Sequence, residues 1–170
     1  MFEIESKKPE EITIITKKTT VTFNVAQYTI DAGLEVGPIQ GPGEFEIGDA
    51  TIRGLPVPEK GSSAEDIADG KADGKRPKLS GKTIYDVEIG GVHVGILGDI
   101  EQGLDDLGMM DILCTSSVRA VREIEPKLVV SMGNIDGMVT DLKVAARTEK
   151  RLKVKNADAL PATLEVVALN

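Results

Sequence analysis

The 170 residues of this sequence hold one histidine, His93, one cysteine, Cys114, and no tryptophan. A single cysteine excludes an intrachain disulfide. A single histidine leaves a catalytic zinc, which takes about three protein ligands, dependent on other donors. Aromatics make up 3% of the chain, so aliphatic side chains must build the core. No stretch approaches the ~20 consecutive apolar residues of a membrane span, and Met1 to Glu11 (MFEIESKKPEE) has no apolar run of signal-peptide length. The expectation is a cytoplasmic protein that does not enter a membrane. Positive charge is also in deficit, with 20 basic residues against 28 acidic ones. The net charge of −8 disfavours non-specific binding to nucleic acid or to an anionic membrane.

What is present points to strands. A chain of 170 residues is expected to form one domain, residues 1–170, burying about 70% of its unfolded surface. Eighteen glycines exceed the average share of about 7% and imply many tight turns. The organising stretch is Thr83 to Leu113 (TIYDVEIGGVHVGILGDIEQGLDDLGMMDIL). Tyr85, Val87 and Ile89 alternate with Asp86 and Glu88, as in a half-buried strand. Gly90-Gly91 is a favoured hairpin connection, because both residues can take positive φ. Val92, Val94 and Ile96 share one face of the returning strand, which stops at Gly98-Asp99.

Earlier in the chain, Ile12 to Thr16 and Thr19 to Val25 predict a hairpin around Lys17-Lys18, followed by a strand at Tyr28 to Asp31. Glu44 to Ile47 and Ala50 to Arg53 predict another hairpin around Gly48-Asp49. Pro56 to Lys82 has few large apolar residues and reads as a long mobile loop, with one helical turn at Ser63 to Ala68. Its near-repeat ADGKADGK lacks the alternating oxygen donors and terminal Glu of an EF-hand calcium loop. Later, Gln102 to Leu107 predicts a short helix, Asp111 to Cys114 a buried strand, and Ser116 the cap of a helix over Val118 to Glu123. Leu128 to Met132 (LVVSM) suits a strand covered on both faces. Asp136 to Arg147 has helical spacing, with Met138, Leu142 and Ala145 on one side, and Arg151 to Lys155 and Thr163 to Leu169 read as closing strands.

Four segments occur in an order familiar from one family: GPGEFEIGDATIRG (Gly41 to Gly54), KTIYDVEIGGVHVGILGDI (Lys82 to Ile100), MDIL (Met110 to Leu113) and IEPKLVVSM (Ile124 to Met132). With the ending RLKVKNADALPATLEVVAL, they resemble a bacterial branch of the metallo-β-lactamase fold, labelled Zn-dependent hydrolases of the β-lactamase fold. The resemblance implies an α+β fold, a four-layer αββα sandwich with its metal site at one edge of the two sheets, here strand-rich, shortened and poor in helices. It also implies one or two zinc ions held by a His-x-His-x-Asp-His motif, two further histidines and a bridging aspartate. This sequence has no such motif. The region before Gly41-Pro42-Gly43 that would carry it is shorter, Gly133 follows Met132 where the family has a metal-binding histidine, and Ile96 stands where the branch places another. Only Asp99 falls on a ligand position and keeps the ligand type.

The other candidate residues have plainer readings. His93 lies six residues before Asp99 in an extended strand, too far to share a metal, and is expected to bond a backbone carbonyl. Asp99, Glu101, Asp105 and Asp106 form an acidic group suited to a solvated helix start, with Asp99 holding a turn or capping that helix. Cys114, within Ile112-Leu113-Cys114, reads as a core residue and not a nucleophile. Ser116-Ser117 lacks the Gly-x-Ser-x-Gly elbow of a serine nucleophile. The basic tract Lys143 to Lys155 has no interleaved aromatics and reads as a solvated face.

No catalytic, cofactor-binding or metal residue is therefore assigned, and no cofactor is expected. The expected function is that of a non-catalytic relative acting as a binding or assembly component. Apolar sheet surface left bare by the missing layers would favour self-association or docking on an intact paralogue. Two other functions stay open. One is a metal-dependent hydrolase with a rearranged or intersubunit site. The other is a small-ligand binder at the old active-site edge, with Pro56 to Lys82 as a lid.

Overall fold

Two sheets, many of whose strands alternate apolar and polar residues, form the body of the fold. The computed structural model describes residues 1–35, 37–59 and 79–170. The first sheet is a meander of β1 (Phe2–Glu5), β2 (Glu11–Ile15), β3 (Thr20–Asn24), β4 (Thr29–Asp31) and β5 (Ile39–Gln40), each antiparallel to the next. The second sheet opens with β6 (Gly43–Ile47), β7 (Ala50–Pro58), β8 (Leu79–Ile89) and β9 (Val92–Gly98), also antiparallel. It then turns parallel, adding β10 (Ile112–Thr115) and β11 (Leu128–Ser131), with β14 (Glu165–Leu169) and β12 (Ala145–Glu149) beyond them. The strand β13 (Leu152–Val154) crosses back to pair with β1. Two helices, α1 (Val118–Ile124) and α2 (Ile135–Leu142), connect the parallel strands.

The inner faces of the sheets meet in one core. Phe2, Ile4, Ile12, Ile14, Phe23 and Ile30 of the first sheet pack on Ile52, Tyr85, Val87, Val94, Ile96, Cys114, Val130 and Val167 of the second. The other face of the second sheet carries Leu97, Leu113, Val129 and Val166, covered by Ala120 and Val121 of α1, Met138 of α2 and Ile100, Leu104, Leu107 and Met110 of the loop after β9. Strands β9 to β11 are thus covered on both sides except at His93 and Ser131, and all four residues of β10 are buried. This explains why their sequences run apolar without alternation.

The layers number three among the described residues, one fewer than an αββα sandwich. The outer face of the first sheet has no helix over it. It is not apolar either, contrary to the sequence expectation. Its strands point Glu3, Glu5, Thr13 and Thr22 outward, Thr13 and Thr22 share a 3.0 Å hydrogen bond, and Arg151 bridges Glu3 and Glu5 at 2.8 and 2.6 Å. Polar pairs finish this face against water in place of a helix layer. No helix among the described residues is long and apolar enough to cross a membrane.

Three boundaries differ from the sequence reading. The flanks of the 56–82 segment are paired strand, with Pro56 opposite Thr83 and Pro58 opposite Leu79. Between the two prolines, Val57 is buried and its carbonyl accepts from Ser80 Oγ at 2.8 Å, an anchor that composition alone hides. The expected helical turn at Ser63 to Ala68 and the ADGKADGK repeat lie outside the described residues. The helix expected over Asp136 to Arg147 ends at Leu142, where Lys143 turns left-handed (φ 56°). Ala145 to Arg147 belong instead to β12, because pairing with β14 outweighs the helix propensity of two alanines. Strand β1 was not expected, although Phe2 and Ile4 alternate with Glu3 and Glu5.

Gly95 sets how closely the helix-side layer sits on β9. A Cβ there would meet Leu113 Cδ1 at 2.8 Å and Leu97 Cδ1 and Met110 Cγ at 3.3 Å. Gly95→Ala is expected to cost about 1–3 kcal/mol through overpacking, read as a lower urea midpoint. An unchanged midpoint would show that Met110 and its loop can move aside.

Candidate functional site

Ligands of open α/β sheets bind beyond the carboxyl ends of the strands. Here β9, β10, β11 and β14 end together, and a cleft runs along their tips. One part, about 280 Å³, lies among Pro9, Glu10, Val25, Tyr28, Gly98, Asp99, Ser116 and Met132. An adjoining part of about 460 Å³ lies among Ser6, Lys7, Lys8, Ser131, Gly133 and Leu169 to Asn170, and shares Pro9 and Met132 with the first. The first sheet supplies one wall and the strand tips of the second supply the other.

A single carbonyl organises the rim. Gly98 takes a left-handed turn (φ 61°), and a Cβ on it would meet Val25 Cβ at 3.0 Å. Its carbonyl oxygen accepts from Thr115 Oγ1 at 2.8 Å, the Ser116 N–H at 2.8 Å and Ser116 Oγ at 3.3 Å. These bonds tie the end of β9 to the end of β10. Asp99 follows as an exposed residue whose carboxylate makes no hydrogen bond or ion pair among the described residues. The expectation that Asp99 holds the turn or caps the next helix is therefore corrected. Backbone and hydroxyls hold the turn, and the helical turn at Leu104–Asp106 begins at left-handed Gly103 without a side-chain cap.

The serine pair also divides its work differently from the sequence reading. Ser116 is spent on Gly98, so the cap of α1 is Ser117, whose Oγ accepts from the Ala120 N–H at 3.1 Å. The same hydroxyl donates to Glu101 Oε1 at 2.6 Å. Both serines and Glu101 are thus engaged in structure. Asp105 and Asp106 stay exposed on the helical turn.

His93 lies near the start of β9, at the far end of the strand from Asp99. It bonds a carboxylate and not the expected backbone carbonyl, with Nδ1 3.1 Å from Asp86 Oδ1. Asp86 also accepts from Arg53 Nη2 at 3.1 Å. Antiparallel register sets Arg53 opposite Asp86 on β7 and β8, a pairing visible in sequence only once that register is known. The His93 N–H donates to Asp111 Oδ2 at 3.1 Å, while Lys127 Nζ donates to Asp111 Oδ1 at 2.8 Å.

Against known structures the whole architecture has a counterpart. A Thermotoga maritima protein, named as a candidate Zn-dependent hydrolase of the metallo-β-lactamase superfamily, matches over 100% of this chain and 100% of its own, with a TM-score of 0.61 and 12% identity. The fold is the metallo-β-lactamase fold. No family model matches the sequence, and no curated protein matches it.

Zinc in a metallo-β-lactamase fold needs about three nitrogen, sulfur or oxygen ligands from the protein. The strand-tip cleft offers the carboxylates of Asp99 and Glu10, the hydroxyl of Ser116, already bonded, and at Gly133 no side chain at all. Among the described residues no three of His, Cys, Asp and Glu are gathered to hold a metal. These donors do not fit the family's zinc. Cys114 does not add to them. It points into the inter-sheet core, whereas His93 is on the opposite face of the second sheet, so the two cannot form a nucleophile–base pair.

Burial pushes the Cys114 thiol up to about 12. Ellman's reagent is therefore expected to leave the folded protein unlabelled at pH 8 and to label the denatured chain once. Rapid stoichiometric labelling of the folded chain would contradict the burial. Asp111 gives a second check. Partial burial works against its ionisation, but the Lys127 ammonium and the His93 N–H outweigh this and hold its carboxyl below the usual range. A depressed folded value contributes stability above the unfolded value, lost as pH falls through the folded one. Lys127→Met should accordingly cost up to about 1 kcal/mol at pH 7 and almost nothing at pH 2, measured by urea unfolding. An equal loss at both pH values would assign the effect to packing.

Proposed function

We propose that this chain is a non-catalytic binding or assembly component built on a reduced metallo-β-lactamase scaffold. What carries the reading is the make-up of the rim. Gly98, Thr115, Ser116 and Gly133 shape the strand tips through backbone turns and hydroxyl bonds, and Asp99 alone keeps a ligand type on a ligand position. Catalysis by a metal ion requires a set of donors able to hold it against water. The carboxylates of Asp99 and Glu10 alone do not supply that set.

The partner on this reading is a second copy or an intact paralogue, and the setting is the cytoplasm. The first sheet's outer face, with its threonines and ion pairs, is a poor apolar contact, which moves attention to the open sheet edges. A second reading, a small-ligand binder, is favoured by the continuity of the two clefts across Pro9 and Met132. A thermal-shift screen in which a compound raises the melting temperature, with the gain lost in Met132→Arg, would decide for it.

The competing enzyme reading is a hydrolase whose metal site is rearranged or completed by another subunit. Metal analysis of protein purified without a His-tag separates the two. Well under one zinc, manganese or iron ion per chain is expected. About one tightly held ion per chain, lost in Asp99→Ala, would overturn the non-catalytic reading.

A further inference from the structure

The second sheet ends at β12, an edge left open among the described residues. None of the residues Ala145–Glu149 is buried, and among the described residues their one strand neighbour is β14. The Asn170 N–H donates to the Glu149 carbonyl at 3.1 Å, across the β12–β14 ladder. Backbone polar groups alternate sides along a strand, so Ala145, Arg147 and Glu149 turn theirs toward β14. Ala146 and Thr148 turn theirs outward, a row of donors and acceptors that another strand can satisfy.

We propose that β12 pairs with the β12 of a second copy, antiparallel about a two-fold axis at Thr148, so that the two large sheets run on as one. Backbone parity admits any register that sets outward-facing residues against each other, and side-chain charge then chooses. An axis at Thr148 places Arg147 of each copy opposite Glu149 of the other, in the closer non-hydrogen-bonded pairing, and Thr148 opposite itself. An axis at Arg147 sets one guanidinium against the other. Arg147 and Glu149 already meet within one chain at 2.6 Å, so both heads lie on one face and are close enough to exchange partners.

The remaining edges are less suited. Two-fold pairing of β6 sets Glu44 and Glu46 against each other or themselves, and pairing of β13 sets Lys153 on itself. Strand β5 has two residues, too few for a stable ladder. The edge that is self-complementary in charge also has no buried residue, and it is long enough to gain from a neighbour.

This inference names the partner of the assembly reading and rests on it. Size-exclusion chromatography with light scattering is expected to show a dimer. Thr148→Cys should cross-link under mild oxidation to a dimer on a non-reducing gel, because the native thiol of Cys114 is buried. Arg147→Cys should cross-link poorly. Arg147→Glu is expected to weaken association about tenfold, and Arg147→Glu with Glu149→Arg to restore it. A monomer at tens of micromolar (well above the Kd of a working homodimer) would overturn both this interface and self-assembly. A dimer that Thr148→Cys fails to cross-link would overturn the interface and leave the assembly reading standing. Efficient cross-linking by Arg147→Cys would overturn the register.

Discussion

The two sheets of this protein are held in register by one aromatic contact. Tyr85 of β8 lies against Phe23 of β3, with ring centroids 5.5 Å apart and planes tilted by 54°. Its hydroxyl reaches through the core to donate to the Tyr28 carbonyl at 2.6 Å, so one side chain of the second sheet is packed and hydrogen-bonded to the first. Burial pushes that hydroxyl up to about 12, which keeps it a donor across the working pH range. In a chain with three phenylalanines, two tyrosines and no tryptophan, this pair is a large share of the aromatic surface available. The aliphatic residues around it supply area but little direction. Tyr28 is held at φ 54°, a costly conformation for a tyrosine, at the point where its carbonyl meets Tyr85. The wall of the strand-tip cleft is therefore fixed by the same contact that aligns the sheets.

Where period-2 patterning was strong, the sequence could be read almost to the residue. The β2–β3 and β8–β9 hairpins follow Lys17-Lys18 and Gly90-Gly91 as their compositions demand. The all-apolar runs at β10 and β11 proved to be strands buried on both faces. Errors came where long-range pairing decides. Ala145-Ala146 favours helix locally and becomes strand because β14 is beside it. Pro56 and Pro58 look like loop residues and become strand because Val57 between them is buried. The bare face of the first sheet was expected to be apolar, yet Thr13, Thr22 and the Glu3–Arg151–Glu5 bridge were in the sequence throughout. Their common face becomes visible only once the strand register is known.

The candidate site was legible in what it lacks and illegible in what replaces it. The absence of paired histidines could be counted from the sequence. That Gly98 gathers Thr115 and Ser116 onto its carbonyl could not, since the bonds join positions 17 and 18 residues apart. His93 is similar, because its partner Asp86 sits on β8 and the second partner of Asp86, Arg53, on β7. Local patterns report which face a side chain takes. They do not report which polar groups converge when strands from distant parts of the chain align.

The Gly98 hub has one further consequence. In a metal enzyme the ligands often tie neighbouring loops together, so losing the metal loosens the site's geometry. Here the strand tips are tied by a carbonyl and two hydroxyls, bonds that stand whether or not anything is bound. Shape and chemistry at this edge are thereby uncoupled. Apart from Ser116, the side chains lining the cleft take no part in these bonds and are free to change, through drift or by design.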